Sequence, residues 1–324
     1  MTRPAVLEVR SLTTELAVRG RRVAAVDHVS FTLHERETLG LVGESGCGKS
    51  LTALSLLRLL RDPPARIVSG EVLYRGRNLL GLSETEMCRV RGPELSMVFQ
   101  EPMTSLNPIF RVGRQIGESV RLHQGASRPA ARARSIDLLR KVGISAAEER
   151  VDAYPHELSG GMRQRVMMAI AIACNPSVLI ADEPTTALDV TVQAQILRLL
   201  RDLQTERGLS VLLITHDLGV VAEMCERVLV MYAGHVVEDA PVDALFARPA
   251  HPYTQGLLRS MPTRTARERL QTIPGTVPSL AERPDGCRFR ARCERASAEC
   301  REVDPPLEEK RPFQRAACHH PLPA

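Results

Sequence analysis

One octet of the chain has the residue types to hold a phosphate. Gly43-Glu44-Ser45-Gly46-Cys47-Gly48-Lys49-Ser50 fits the pattern G-x-x-x-x-G-K-[ST]. Glycines let successive backbone N–H groups turn inward into an anion-binding concavity, and a helix opening at the end of the loop adds partial positive charge. Lys49 can reach the β- and γ-phosphates of a nucleotide, and the Ser50 hydroxyl can ligate magnesium. Leu51 completes the set expected to line the phosphates. The lysine is informative in itself: the chain has only three, at 49, 141 and 310, among 43 basic residues.

A second set supplies what such a cradle lacks. Ser177-Val178-Leu179-Ile180-Ala181-Asp182-Glu183 is an apolar run ending in two carboxylates. Asp182 can hold magnesium, and Glu183 can polarise an attacking water. Phosphoryl transfer needs positioning and charge neutralisation more than covalent help. A strand ending in acidic residues is common alone; paired with a phosphate loop it is specific. A third set is Cys287, Cys293, Cys300 and Cys318, spaced C-x5-C-x6-C-x17-C. Disulfides are disfavoured in a reducing compartment. Structural zinc usually takes a close C-x2–4-C pair, which is missing, although His319 or His320 could replace a ligand. Wider spacings suit an iron–sulfur cube, where each thiolate meets a different iron.

These groups need rigid supports. Over the first 240 residues short β-branched runs alternate with helical patterns, the signature of a parallel sheet covered by helices, an α/β class. Strands are expected at Thr38–Val42, Val178–Ala181, Val211–Thr215 and Val228–Tyr232, and helices at Ser50–Leu60, Met162–Cys174 and Val190–Arg207. Residues from about 103 to 157 are Arg-rich and strand-poor, a helical insertion. Ten prolines fall in the first 240 residues and twelve in the last 84, so from about 241 onward the chain reads as a loop-rich extension.

Composition sets the outer bounds. A length of 324 residues suggests about two domains. Four Tyr, six Phe and no Trp make a poor base-stacking platform, and a net charge of +5 is too weak for a nucleic-acid footprint. No apolar run approaches a membrane span, and no targeting segment is visible at the start. A cytosolic chain that reaches any membrane through partners is expected.

Leu158-Ser159-Gly160-Gly161-Met162-Arg163-Gln164-Arg165 resembles the signature motif of ATP-binding-cassette (ABC) ATPases. Gln100, in Val-Phe-Gln-Glu-Pro, resembles the Q-loop glutamine, which implies a further magnesium ligand. Ala187-Leu188-Asp189 resembles the D-loop, and His216, in Ile-Thr-His-Asp, the switch histidine. The resemblance implies a P-loop NTPase cassette over residues 1–240, with an N-terminal antiparallel β-region and a helical subdomain at about 103–175. It implies that two cassettes close head to tail on ATP, each signature (Ser159, Gly160, Gly161) serving the partner's nucleotide, with Glu183, His216 and Gln100 catalytic. By itself, Ser159 before a helix is also a plain N-cap. Relatives often stack adenine on an N-terminal aromatic; here Leu16 or the neighbourhood of Val23 takes that place, and the first ring, Phe31, belongs to a buried strand.

The segments Glu101–Pro108, His251–Leu258 and Ile273–Pro278, with the Cys-rich end, are similar to oligopeptide/dipeptide importer ATPases. That resemblance implies a peptide importer subunit on the cytoplasmic face of the membrane. Its partners would be two integral membrane permeases, a second cassette subunit, identical or paralogous, and an extracytoplasmic solute-binding protein. It also favours a four-iron, four-sulfur cluster over zinc at the four cysteines. The alternatives are an importer for nickel or another small solute, and a soluble non-transport ATPase.

Overall fold

The computed structural model describes residues 3–101, 105–186, 188–261, 272–280 and 283–323. Of the expected motifs, Pro102, Met103, Thr104 and Ala187 lie outside the described residues. Along the chain come β1 (Ala5–Val18), β2 (Arg21–His34), β3 (Thr38–Val42), α1 (Lys49–Leu56), β4 (Ala65–Tyr74), β5 (Arg77–Asn78), α2 (Glu84–Val90) and β6 (Leu95–Val98). A strand-free stretch follows: α3 (Val112–Gln124), α4 (Arg128–Lys141), α5 (Ala147–Arg150) and α6 (Gly160–Ala171). Alternation resumes with β7 (Val178–Asp182), α7 (Val190–Arg207), β8 (Ser210–Ile214), α8 (Leu218–Met224), β9 (Arg227–Tyr232) and β10 (His235–Pro241). The end carries α9 (Val242–Ala247), α10 (Pro252–Arg259), α11 (Glu299–Glu302), β11 (Glu308–Arg311) and β12 (Gln314–Ala316).

The chain packs into two compact units. One comprises residues 1–6, 34–37 and 81–213; the other comprises 7–33, 38–80 and 214–324. In the first, β6 and β7 pair in parallel and β8 lies beside β7. Strands β6, β7 and β8 are buried at every residue, the pattern of parallel strands covered on both faces. Helix α7 spans the range its periodicity predicts, because both ends are signalled. The Asp189 carboxylate accepts from the Val192 N–H at 2.9 Å, and Gly208 closes the helix in the left-handed region.

In the second unit, β3 pairs in parallel with β9, β9 antiparallel with β10, and β10 antiparallel with β12, which carries β11 on its far side. A separate sheet has the order β2-β1-β4-β5. Phe31 is 5% exposed on β2, as its expected place in a buried strand requires. Helix α1 stops at Leu56, short of the expected Leu60, as Arg58 turns into the left-handed region ahead of Pro63 and Pro64.

The C-terminal residues are built into this second unit. Glu238 of β10 has no exposed surface, so its carboxylate needs donors. It receives three: the Ala250 N–H at 2.7 Å, the His251 N–H at 2.9 Å and Gln314 Nε2 at 2.8 Å. Tyr232, Tyr253 and Phe289, three of the chain's ten aromatics, pack with centroids 4.7–5.3 Å apart. Asp27 of β2 is ion-paired with Arg288 and lies 3.2 Å from His235. The contact with His235, then those with Arg288 and His28, hold the Asp27 carboxyl well below the usual range.

Candidate nucleotide site

The phosphate loop leaves the fully buried β3 and enters α1. Two glycines are obligatory by geometry. A Cβ on Gly43 (φ +152°) would lie 2.2 Å from the Met231 carbonyl oxygen, and one on Gly48 (φ +107°) would lie 2.8 Å from that of Ala25. Around Gly46 the space is open. Lys49, 6% exposed, arches back over the loop: its Nζ donates to the carbonyls of Gly43 at 2.8 Å and Glu44 at 3.0 Å. Cys47 is 1% exposed, and burial pushes its thiol up, so it serves packing. Ser45 and Gly46 are exposed, while Ser50 and Leu51, in the first turn of α1, are half-buried.

Two contacts to this loop come from the C-terminal residues, and neither is visible in the motif. The Glu44 N–H donates to Tyr253 Oη at 2.9 Å. The Glu44 carboxylate is gripped by both terminal nitrogens of Arg292, at 2.6 and 3.0 Å. His216 lies in the same unit, exposed between Thr215 and Asp217. The Asp217 N–H donates to Thr215 Oγ1 at 3.0 Å, and the Asp217 carboxylate caps α8 from the Gly219 and Val220 N–H groups. The junction that presents the imidazole is thereby fixed.

The carboxylates lie in the first unit. Asp182 ends β7 and is 3% exposed. Glu183 follows at φ +46°, a left-handed conformation that costs a non-glycine residue about 1 kcal/mol and turns its side chain out of the strand's alternation. Its Oε2 accepts from Gln100 Nε2 at 3.0 Å and from Thr186 Oγ1 at 2.8 Å. Gln100 and Glu183, 83 residues apart, are thus brought together. Ser159 and Gly160 are exposed at the start of α6, where Ser159 Oγ caps the helix from the Met162 N–H at 3.3 Å; Gly161 faces Val192. Gln164, 2% exposed, donates to the Pro184 carbonyl at 2.7 Å and ties α6 to the turn that carries Glu183.

The donors suit a magnesium nucleotide. Each unit by itself carries a hard oxygen donor of the kind magnesium prefers, the Ser50 hydroxyl in the second and the Asp182 carboxylate in the first, and the Gly43–Gly48 loop keeps the bare backbone a phosphate needs. Leu16 and Val23, expected where an aromatic would stack, are half-buried aliphatics on β1 and β2. The four-cysteine centre has less support. All eight cysteines are free thiols. Among the described residues, no group of three or more His, Cys, Asp or Glu side chains is arranged to hold a metal ion. The Cys287 N–H donates to the Cys300 carbonyl at 2.9 Å. The substitute histidines are engaged elsewhere: His319 with Glu299 and the Val303 carbonyl, His320 with Ser297.

Comparison with known proteins agrees with this geometry. Residues 26–186 match the ABC transporter family, and residues 237–300 match the C-terminal region of oligopeptide/dipeptide transporters. The chain is 55% identical, over 96% of its length and 94% of the relative, to a peptide ABC transporter ATP-binding protein of Sinorhizobium fredii. It is 51% identical, over 95% and 94%, to a peptide import ATP-binding protein of Brucella melitensis. Among solved structures, the dimeric bacterial ABC transporter cassette MJ0796 superimposes with a TM-score of 0.66 at 28% identity, covering 73% of this chain and 98% of that one. The same cassette in a post-hydrolysis state bound to ADP and Pi gives 0.66 at 27%, with the same coverage. The fold and phosphate loop define an ABC-type ATPase. The chain belongs to the ABC transporter ATP-binding family, in the branch that carries the oligopeptide/dipeptide transporter C-terminal region.

Proposed function

We propose that this chain is the ATP-hydrolysing subunit of a peptide importer. The observation that carries the reading is the phosphate loop with its arched Lys49, in a chain whose carboxylate Glu183 is oriented by Gln100 and Thr186. The full-length likeness to peptide import ATP-binding proteins supplies the cargo class. In this reading Lys49 and the loop N–H groups bind the β- and γ-phosphates, Ser50, Asp182 and Gln100 hold magnesium, and His216 contacts the γ-phosphate. Glu183 accepts the proton of the water that attacks the γ-phosphorus in line, while the bond to the β,γ-bridging oxygen breaks and ADP leaves. Ser159, Gly160 and Gly161, at the start of α6, serve the nucleotide of a second cassette; that the similar cassette MJ0796 is dimeric supports such a pairing.

No helix among the described residues is long and apolar enough to cross a membrane. Transport would therefore run through two separate permease subunits, with the cassettes on the cytoplasmic face and a solute-binding protein delivering cargo outside. Co-expression with candidate membrane subunits tests this. Co-purification and ATP hydrolysis stimulated by peptide are expected; an ATPase that never associates with membrane proteins would overturn it.

The sequence resemblance also favours a four-iron, four-sulfur cluster on Cys287, Cys293, Cys300 and Cys318. What supports it is the spacing, the burial of Cys300 and Cys318, and the Cys287–Cys300 backbone bond. The thiols as placed do not form a metal site among the described residues, so the centre would require them to rearrange around the cluster. Its contribution would be to tie down a proline-rich segment. Anaerobic purification followed by iron, sulfide and zinc analysis decides it: four irons per chain are expected, and one zinc or no metal would refute it.

A further inference from the structure

Arg292 lies on the C-terminal segment, 248 residues from Glu44, yet it is committed to the phosphate loop. Its side chain is 5% exposed. Both terminal nitrogens reach the Glu44 carboxylate, at 2.6 and 3.0 Å, while Nε donates to the Pro274 carbonyl at 2.8 Å. Its guanidinium stands 5.9 Å from the Tyr232 ring, inside the Tyr232–Tyr253–Phe289 cluster. Tyr253, fully buried in the same cluster, takes the Glu44 N–H. Glu44 is the second residue of the loop, so its carboxylate is a negative charge built into an anion site. Opposite charges on a bidentate fork cancel it at short range. The contact with Glu44, opposed by burial, raises the Arg292 pKa further above its ordinary value, so the guanidinium stays charged.

We infer that the C-terminal region is a working part of the nucleotide site: Arg292 is a positioning residue that neutralises and orients Glu44, and Tyr253 fixes the backbone of the same residue. The inference rests on the nucleotide-site reading above. Like charge left near a triphosphate weakens its binding, and salt screens that penalty. The C-terminal region thereby sets nucleotide affinity without touching the nucleotide.

The test is equilibrium binding of a fluorescent ATP analogue with magnesium to the full chain, at low and high salt. Arg292→Ala should raise Kd on the order of tenfold at low salt, less at high salt. Adding Glu44→Gln to Arg292→Ala should restore Kd to within about threefold of wild type, because the repelling charge is gone although the brace is still missing. Arg292→Lys, which keeps the charge and loses the fork, should fall between. If Arg292→Ala does not fold, Arg292→Lys and the double variant carry the comparison. An unchanged Kd in folded Arg292→Ala, or in Arg292→Lys where that is the single variant read, would overturn the inference. So would a double variant as weak as the single one. A wild-type chain that binds no nucleotide would instead refute the nucleotide-site reading.

Discussion

At the residue scale the chemistry divides between one cation and one carboxylate. Lys49 spends its donors on two loop carbonyls, at 2.8 and 3.0 Å, which holds the loop in a phosphate-ready curve. Lys49→Ala removes both this internal support and a phosphate contact, so nucleotide affinity should fall on the order of a hundredfold. Titration with a fluorescent ATP analogue checks it; near-normal affinity would remove Lys49 from the site. The motif residues were legible because each does its work through neighbours in the loop itself. Gln164, Tyr253 and Arg292 were not, because their partners come through folding; Thr186 bonds Glu183 only three residues away, but no motif marks a threonine for that contact. Arg292 and Glu44 are 248 residues apart, and nothing in local spacing pairs an arginine with a carboxylate across that distance.

The elements explain why the site holds still. Buried Gln164 ties α6 to the Pro184 carbonyl, next to Glu183. Gln164→Ala would leave that carbonyl buried without its donor, at a cost of about 1–3 kcal/mol. Denaturant midpoints should fall accordingly, and turnover should drop more than nucleotide affinity; an unchanged midpoint would contradict the tether. Burial pushes the imidazole of His251, which N-caps α10, down to about 4. Unfolded, the same histidine titrates near 6.5. Between these values the unfolded chain binds more protons, so this contribution is complete above about pH 6.5 and declines as pH falls toward 4, by about 3 kcal/mol at most. Urea midpoints at pH 7 and 4.5 should differ more in wild type than in His251→Gln; equal differences would exclude His251. Strand positions were legible within a residue or so, since continuous apolar runs mark doubly covered strands. Helix ends were less so. Ser159 and Asp189 signal the starts of α6 and α7, but α1 and α6 end before their apolar patterns do.

At the scale of the whole molecule, the C-terminal residues share a compact unit with the phosphate loop. Composition alone describes them as a proline-rich extension, because β11 and β12 are short and polar and their pairing with β10 is a long-range fact. Truncation after Pro241 removes β12, Arg288, Tyr253 and Arg292 together, so it should give a chain that is aggregation-prone and weak in nucleotide binding. A truncated chain as stable as the full one, by thermal midpoint, would contradict this integration. If the signature serves a partner's nucleotide, the isolated chain should hydrolyse ATP poorly, and turnover should rise on assembly. In the assembled complex, crosslinks to the permeases should fall on the helical insertion around Gln100 to Glu157; crosslinks confined to 241–324 would place the docking surface elsewhere.

The role of Glu183 as the base is tested most directly by ATP turnover of the assembled transporter carrying Glu183→Gln beside that carrying the native chain. The substitution keeps the side chain's shape and removes the base. Turnover should fall by roughly 10²–10⁴-fold, with nucleotide still bound and the cassettes still paired. A Glu183→Gln complex that hydrolyses ATP at a near-native rate would rule Glu183 out as the catalytic base.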